Sequence, residues 1–339
     1  MNKKKIMLVF GTRPEAIKMA PLVHALKANQ EQFEIKVCVT SQHRQMLDQV
    51  LKIFEIKPDI DLNLMKKNQN LSNLTSLILN EMQSVLTQYQ PDIVLVHGDT
   101  TSALAASMAA FYASIPVGHV EAGLRTYNLK APFPEEFNRQ MISRITKWHF
   151  APTNLSKENL LSEHVDKSLI IVTGNTVIDA LNWVLKRIEK DKDRQKKLEN
   201  FLNSNLSFNW KNENFVLVTA HRRENFGDGF LQIFSALKEL ASKYPKIHFV
   251  YPVHLNPNVS KTVYENLKGI NNIHLIQPLE YESFLYLLQH TYLVLTDSGG
   301  IQEEAPSLGK PVLVMRDVTE RPEAVEAGTA EIIGSNYQR

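Results

Sequence analysis

Short apolar runs that alternate with stretches of helical spacing constrain this chain more than any other feature. Runs rich in β-branched and aliphatic residues fall at Ile6–Phe10, Ile35–Thr40, Ile93–His97, Val117–Val120, Leu169–Val172, Phe215–Thr219, His248–Tyr251, Tyr292–Leu295 and Val312–Met315. Between most of them apolar positions return every three or four residues, as at Leu71, Leu74, Leu77, Ile78, Met82 and Val85. Strands that are apolar along their whole length need cover on both faces, and helical crossovers supply it, so the pattern predicts parallel sheets clad in helices. The alternation comes in two series, residues 5–172 and 213–334, with no sequence repeat between them. A helical segment from Val177 joins the series, and its tail, Lys186 to Asn200, mixes both charge signs as a solvated connector does. The expected fold is therefore α/β: two doubly wound Rossmann-like domains facing across a cleft, spanning residues 1–173 and 174–339.

Composition narrows the function class. With 339 residues, 43% hydrophobic and 22% charged, the chain has material for two cores. A net charge of +2 argues neither for a nucleic-acid footprint nor against a small anionic ligand, which needs only local positive charge, and no nucleic-acid partner is expected. The single cysteine, Cys38, lies inside an apolar run and reads as a buried structural thiol in a reducing compartment. The first apolar run is five residues long and is broken by Gly11, Arg13 and Pro14, which is too short for a secretion signal. No apolar stretch approaches a membrane span, so a cytoplasmic protein without membrane insertion is expected.

In doubly wound sheets ligands bind beyond the carboxyl ends of the strands, and the unusual residues of this chain gather there. Thr296-Asp297-Ser298-Gly299-Gly300 leads from a strand into a helix that carries Glu303 and Glu304 in its first turn. A glycine turn and a helix start offer free N–H groups to a phosphate. A carboxylate beside such a seat has a purpose if it reaches the hydroxyls of a ribose; otherwise the acidic pair merely complements the helix dipole. Gly11-Thr12-Arg13-Pro14-Glu15 follows the first strand with Lys18 one turn later, and Arg13 and Lys18 are either phosphate ligands or ordinary surface cations. Asp99, after the strand Ile93–Val96, can be a helix N-cap or an acid/base group. Glu121 ends a buried strand, where a carboxylate must be paired. Glu135 and Arg139 share one helical face at i, i+4, as a surface ion pair or part of a site. His221 follows Phe215–Thr219, where an acid, a base or a phosphate partner fits. Converging carboxylates beside a histidine and cations separate pKa values, so that one acts as base while another keeps its proton. No zinc-type spacing, Walker loop or GxSxG elbow occurs, so no metal, no cofactor and no covalent serine or cysteine chemistry is expected.

Taken together, FGTRPEAIKMAPL, HGDTT, VEAGLRT, PFPEEFNRQ, TGNTVIDAL, HRREN, YPVHLNPNV and TDSGGIQEEAPSLGKPVLVMRDVTERPEAV closely resemble the bacterial non-hydrolysing UDP-N-acetylglucosamine 2-epimerases along essentially the whole chain. The resemblance implies the glycosyltransferase-B fold, a homodimer, and interconversion of UDP-GlcNAc and UDP-ManNAc through UDP and 2-acetamidoglucal, supplying surface polysaccharide. It implies UDP contacts at Arg13, Lys18, Ser298, Gly299, Gly300 and Glu304, the last on the ribose, with Arg321 on the diphosphate side and Phe284 near the uracil. Asp99, Glu121 and Glu135 match the acid/base carboxylates of the family, supported by Arg139 and His221. Gln42, Gln45, Arg222 and His254 match a regulatory UDP-GlcNAc site of some members, although an arginine used there aligns with Asn68. Family chains also continue past Arg339 with further helices. The alternatives are a hydrolysing relative that releases ManNAc and UDP, and a nucleotide-sugar binder without turnover. A plain glycosyltransferase fits less well, because three carboxylates exceed its single base.

Overall fold

In a computed structural model, residues 3–41, 44–64, 69–222, 225–319 and 321–338 are described. Contacts divide the chain into two compact units, Met1–Ala180 and Leu181–Arg339. In order, the first contains β1 (Lys4–Phe10), α1 (Arg13–Ala28), β2 (Phe33–Val39), α2 (Arg44–Ile53), β3 (Ile60–Asp61), α3 (Leu71–Tyr89), β4 (Ile93–His97), α4 (Thr101–Tyr112), β5 (Val117–Val120), α5 (Glu135–Ile145), β6 (Trp148–Ala151), α6 (Asn154–Ser162) and β7 (Ile170–Val172). Helix α7 (Thr176–Lys190) carries the chain across the division. The second contains α8 (Lys192–Asn205), β8 (Phe215–Thr219), α9 (Asp228–Lys243), β9 (His248–Pro252), α10 (Pro257–Leu267), β10 (Ile273–Ile276), α11 (Tyr281–His290), β11 (Leu293–Thr296), α12 (Ile301–Ser307), β12 (Val312–Val314), α13 (Pro322–Glu326) and β13 (Ala330–Ile332).

Both sheets are parallel and follow the same plan. Their strand orders are β3-β2-β1-β4-β5-β6-β7 and β10-β9-β8-β11-β12-β13. Each reverses direction once, between β1 and β4 in the first unit and between β8 and β11 in the second, which is the switch point where doubly wound sheets bind ligands. The expected strands exist, with shifted ends. Tyr292 is 58% exposed and stays outside β11, which begins at Leu293. Strands β3, β6, β10 and β13 fall outside the nine expected runs, because two to four residues with interspersed polar side chains carry too little periodic signal.

The cores explain the apolar spacing. Met7, Val9, Val94 and Val96 of the first sheet pack against Ile78, Met82 and Leu86 of α3 and the alanines Ala103, Ala106 and Ala110 of α4. Small residues on α4 leave room for α3 beside it. Val216, Val218, Phe249 and Tyr251 meet Phe230, Phe234 and Leu237 of α9 in the second unit. Cys38 is fully buried against Met82, and burial pushes its thiol up to about 12, as a structural thiol requires.

Buried carboxylates brace both switch points. Thr12 and Glu15 form a capping box at the start of α1. Glu15, 1% exposed, accepts the backbone N–H groups of Gly11 and Thr12 on one oxygen and the hydroxyl of Thr100 on the other, at 2.7 Å. The turns after β1 and β4 are thereby tied together. Burial raises the pKa of Glu15 even against these three donors. In the second unit Asp297, after β11, accepts the N–H groups of His221 and Arg222, after β8, each at 2.8 Å. Gly11 is required by space: a Cβ there would lie 2.0 Å from Thr40 Oγ1 and 2.5 Å from Ser102 Oγ.

Candidate functional site

The first unit gathers its charged residues just beyond β4 and β5. Helix α4 is capped by Thr100, whose hydroxyl accepts from Ala103 N, so Asp99 is relieved of the capping role that its position suggested. Its carboxylate instead meets Arg139 Nη2 at 3.0 Å, while Asn138 anchors its backbone carbonyl at 2.7 Å. Burial raises the Asp99 carboxyl to about 6; Arg139 opposes the rise, Glu121 and Glu135 add to it, and Lys18 opposes it. The side chain keeps 28% of its surface open, which places this proton-holding group within reach of solvent.

Glu121 sits where the chain leaves β5 with φ at +64°, a left-handed conformation that costs a non-glycine residue about 1–2 kcal/mol. Its Oε1 pairs with Lys18 Nζ and accepts Asn175 Nδ2 at 2.8 Å, and its Oε2 lies 3.6 Å from His97 Nε2. Gly98, also left-handed at φ +65°, brings the β4 turn beside this carboxylate. Lys18 is thus a buried partner of Glu121, and the free surface cation is excluded. Arg13 opens α1 and is half-buried.

The expected Glu135–Arg139 pair is not formed through the Glu135 carboxylate. Arg139 turns to Asp99 and to Glu136, 3.4 Å away, and takes only the Glu135 main-chain carbonyl. The reason is burial: Arg139 is 5% exposed and Glu136 not at all, so the two satisfy each other inside while Glu135 lies at the rim. Glu136 also accepts the N–H groups of Thr126 and Tyr127, which fixes the loop before α5. Glu136, Glu15 and Asn175 hold roles here that no motif of the chain assigns to them. Of these only Glu15 carried a local signal, the Thr12-x-x-Glu15 capping box.

The second unit assembles its residues around the β8–β11 switch point. Gly300 is the residue before α12 and is right-handed, with φ −64°; a Cβ on it would meet nothing within 4 Å, so this turn faces open space. Ser298 N donates to Thr296 Oγ1, and its carbonyl accepts the buried Gln302 side chain at 3.3 Å. The two glutamates of α12 divide: Glu303 pairs with Arg321 Nε at 3.1 Å, and Glu304 accepts the hydroxyl of Tyr281. Phe284 lies one turn beyond Tyr281 on α11 and is half-buried. Gly299 lies between Ser298 and Gly300 in the same turn.

His221 is 38% exposed at its side chain and stacks on His254 with ring centroids 5.4 Å apart and 12° between planes. Burial lowers its pKa; Asp297 opposes this, and Arg222 and His254 add to it. Arg222 and His254 are therefore neighbours of His221. Gln42 and Asn68 lie outside the described residues, as does the side chain of Gln45. Among the described residues no group of three histidine, cysteine or acidic side chains is placed to hold a metal ion, and no helix is long and apolar enough to cross a membrane.

Two parallel sheets with paired switch points, a carboxylate and cation cluster at one and an open glycine turn at the other, invite comparison with known proteins. A family profile described as UDP-N-acetylglucosamine 2-epimerase matches residues 24–339. The chain belongs to this family, the non-hydrolysing epimerases. The UDP-N-acetylglucosamine 2-epimerase of Yersinia pestis is 58% identical over 335 residues, covering 99% of this chain and 88% of the relative. A crystal structure of the Neisseria meningitidis enzyme bound to UDP-GlcNAc superimposes with a TM-score of 0.92 at 55% identity, covering 98% of this chain and 88% of that one. The Methanocaldococcus jannaschii enzyme, solved with UDP-GlcNAc and UDP, gives a TM-score of 0.84 at 34% identity over 98% of this chain and 90% of that one. The architecture is that of the glycosyltransferase-B fold.

Proposed function

We propose that this family member interconverts UDP-GlcNAc and UDP-ManNAc by expelling UDP from C1 while a carboxylate takes the C2 proton, and by adding UDP back after the proton returns on the other face. The proton at C2 is not acidic, so direct abstraction is far costlier than an elimination in which the diphosphate leaves with the C1–O electron pair. The observation that carries the reading is the unequal dress of two neighbouring carboxyl groups. Asp99, raised to about 6, holds or yields a proton near neutrality, while Glu121 is engaged by Lys18 and Asn175. Such a difference lets one carboxyl act as acid while the other acts as base. Arg139 steadies Asp99, and Glu135 at the rim is the third carboxylate within electrostatic reach.

In the second unit the Ser298–Gly300 turn is assigned to the diphosphate, with Arg321 as a cation and His221 on the leaving-group side; Arg13 of the first unit is assigned as a further UDP contact. Glu304 is assigned to the ribose, Phe284 to the uracil, and Lys18 to the charge balance of the diphosphate end. Positively charged groups aimed at a departing diphosphate lower the barrier where charge develops. Arg222 and His254, beside His221, with Gln42 and Gln45, are assigned to a second, regulatory UDP-GlcNAc. The same reading has the enzyme supply surface polysaccharide from the cytoplasm as a homodimer. Exposed Phe111, Tyr112, Phe133, Phe137 and Met141 beside α3, α4 and α5 support the dimer, since apolar patches of this kind mark association surfaces. A solution mass of one 38.7 kDa chain would remove that element.

The deciding experiment is proton NMR of the protein with UDP-GlcNAc in deuterated water. Deuterium at C2 together with accumulating UDP-ManNAc is expected. Free ManNAc plus UDP would replace the reading by hydrolysis, and an unchanged spectrum would leave only binding.

A further inference from the structure

A buried carboxylate stands behind His221. Asp297 is fully buried where the chain leaves β11, and its two oxygens have different surroundings. Oδ2 accepts three donors: the N–H groups of His221 and Arg222, each at 2.8 Å, and the Asn225 side-chain amide at 3.2 Å. Oδ1 is equally sealed from solvent and has no hydrogen-bond partner among the described residues. The group facing it is the imidazole of His221, with Nδ1 3.5 Å away. His254, stacked against the ring, has its own Nδ1 occupied as acceptor for Asn256 N–H at 3.1 Å.

An anionic oxygen sealed from water without a donor is expensive, and a proton on the facing nitrogen removes most of that cost. The facing nitrogen is Nδ1. The second ring nitrogen, Nε2, then keeps its lone pair, on a side chain that is 38% exposed. We propose that Asp297 is a positioning residue: it holds His221 in the Nδ1–H tautomer and presents Nε2 as the working nitrogen of the site. The assignment of a working role to Nε2 rests on the nucleotide-sugar reading above; the tautomer itself does not. An orienting carboxylate behind a histidine fixes both the ring angle and the proton, and reversing the tautomer in such pairs disables the histidine while leaving the fold intact.

The geometry dictates what Asp297→Asn would do. The two backbone N–H groups at 2.8 Å demand an oxygen, so the amide carbonyl takes the place of Oδ2. Its NH2 then points at His221 Nδ1. A donor facing Nδ1 makes that nitrogen the acceptor and moves the ring proton to Nε2. The variant keeps its backbone caps and inverts the tautomer.

The test is long-range proton–nitrogen correlation NMR on histidine-labelled protein without ligand, with the His221 signals identified by their loss in His221→Gln. Wild type is expected to show Nδ1–H and Asp297→Asn to show Nε2–H, with kcat down by roughly 10²-fold or more and KM little changed. An Nε2–H tautomer in wild type overturns the proposal, and this decides it even if Asp297→Asn does not fold. So does an inverted tautomer with unaltered kcat, which would confine Asp297 to bracing the turns. A wild type with Nδ1–H and no turnover would sink the epimerase reading and leave the tautomer assignment standing.

Discussion

Asp99→Asn should stabilise the protein while stopping the chemistry, and the stabilisation should depend on pH in a prescribed way. In the folded state the Asp99 carboxyl titrates near 6 against an ordinary 3.8, because burial outweighs the opposing Arg139. A carboxyl whose folded pKa is raised binds its proton more tightly in the native state. Wild-type stability therefore falls as pH rises through the window from about 4 to 6, and the penalty is fully present above it. The full shift corresponds to about 3 kcal/mol at pH 8 and about 1.5 kcal/mol at pH 5. With 28% of the side chain open to solvent, screening reduces both figures, so the difference between them is about 1 kcal/mol. Asparagine is neutral at every pH, and contributions from other groups cancel in the comparison of variant with wild type. Denaturant unfolding at pH 5 and pH 8 should thus show the variant gaining about 1 kcal/mol on wild type between the two, while the NMR assay finds no deuterium at C2. A stability gap that is flat with pH, or that narrows toward pH 8, would refute the reasoning about burial at Asp99.

Two further outcomes follow from the packing. Gly11→Ala puts a methyl group against Thr40 Oγ1 and Ser102 Oγ and should cost about 1–3 kcal/mol in chemical denaturation, the clash outweighing the smaller gain from a stiffer unfolded chain. Lys18→Met leaves the Glu121 carboxylate without its buried cation and should cost about 3–5 kcal/mol, whereas Lys18→Met combined with Glu121→Gln should recover at least about 1 kcal/mol of that loss in a double-mutant cycle.

The fold was legible in the sequence because continuous apolar strands and three-to-four spacing are signals that local chemistry cannot disguise. The positions of the site residues at strand ends were legible for the same reason. Their partnerships were not. Arg139 could be seen to share a helical face with Glu135, yet its choice of Asp99 and Glu136 depends on a strand end some forty residues upstream and on which carboxylate is buried. Lys18 likewise reads as either a phosphate ligand or a surface cation, and nothing local shows the Glu121 carboxylate that β5 brings to it. The role of Thr100 as cap in place of its neighbour Asp99 lies within the one-residue uncertainty that attends any helix end.

Glu15 and Asp297 have a consequence for how such a protein can be recombined. Each carboxylate holds donors from the loop on the far side of its switch point, Thr100 in one unit and His221 with Arg222 in the other. A graft that replaces one of these loops from a distant relative strands a buried oxygen in the loop left behind. The two loops of each unit are therefore inherited as a matched set, and shuffling experiments that cut between β1 and β4, or between β8 and β11, should yield folded chimeras only when both parents supply the same donor at the same reach.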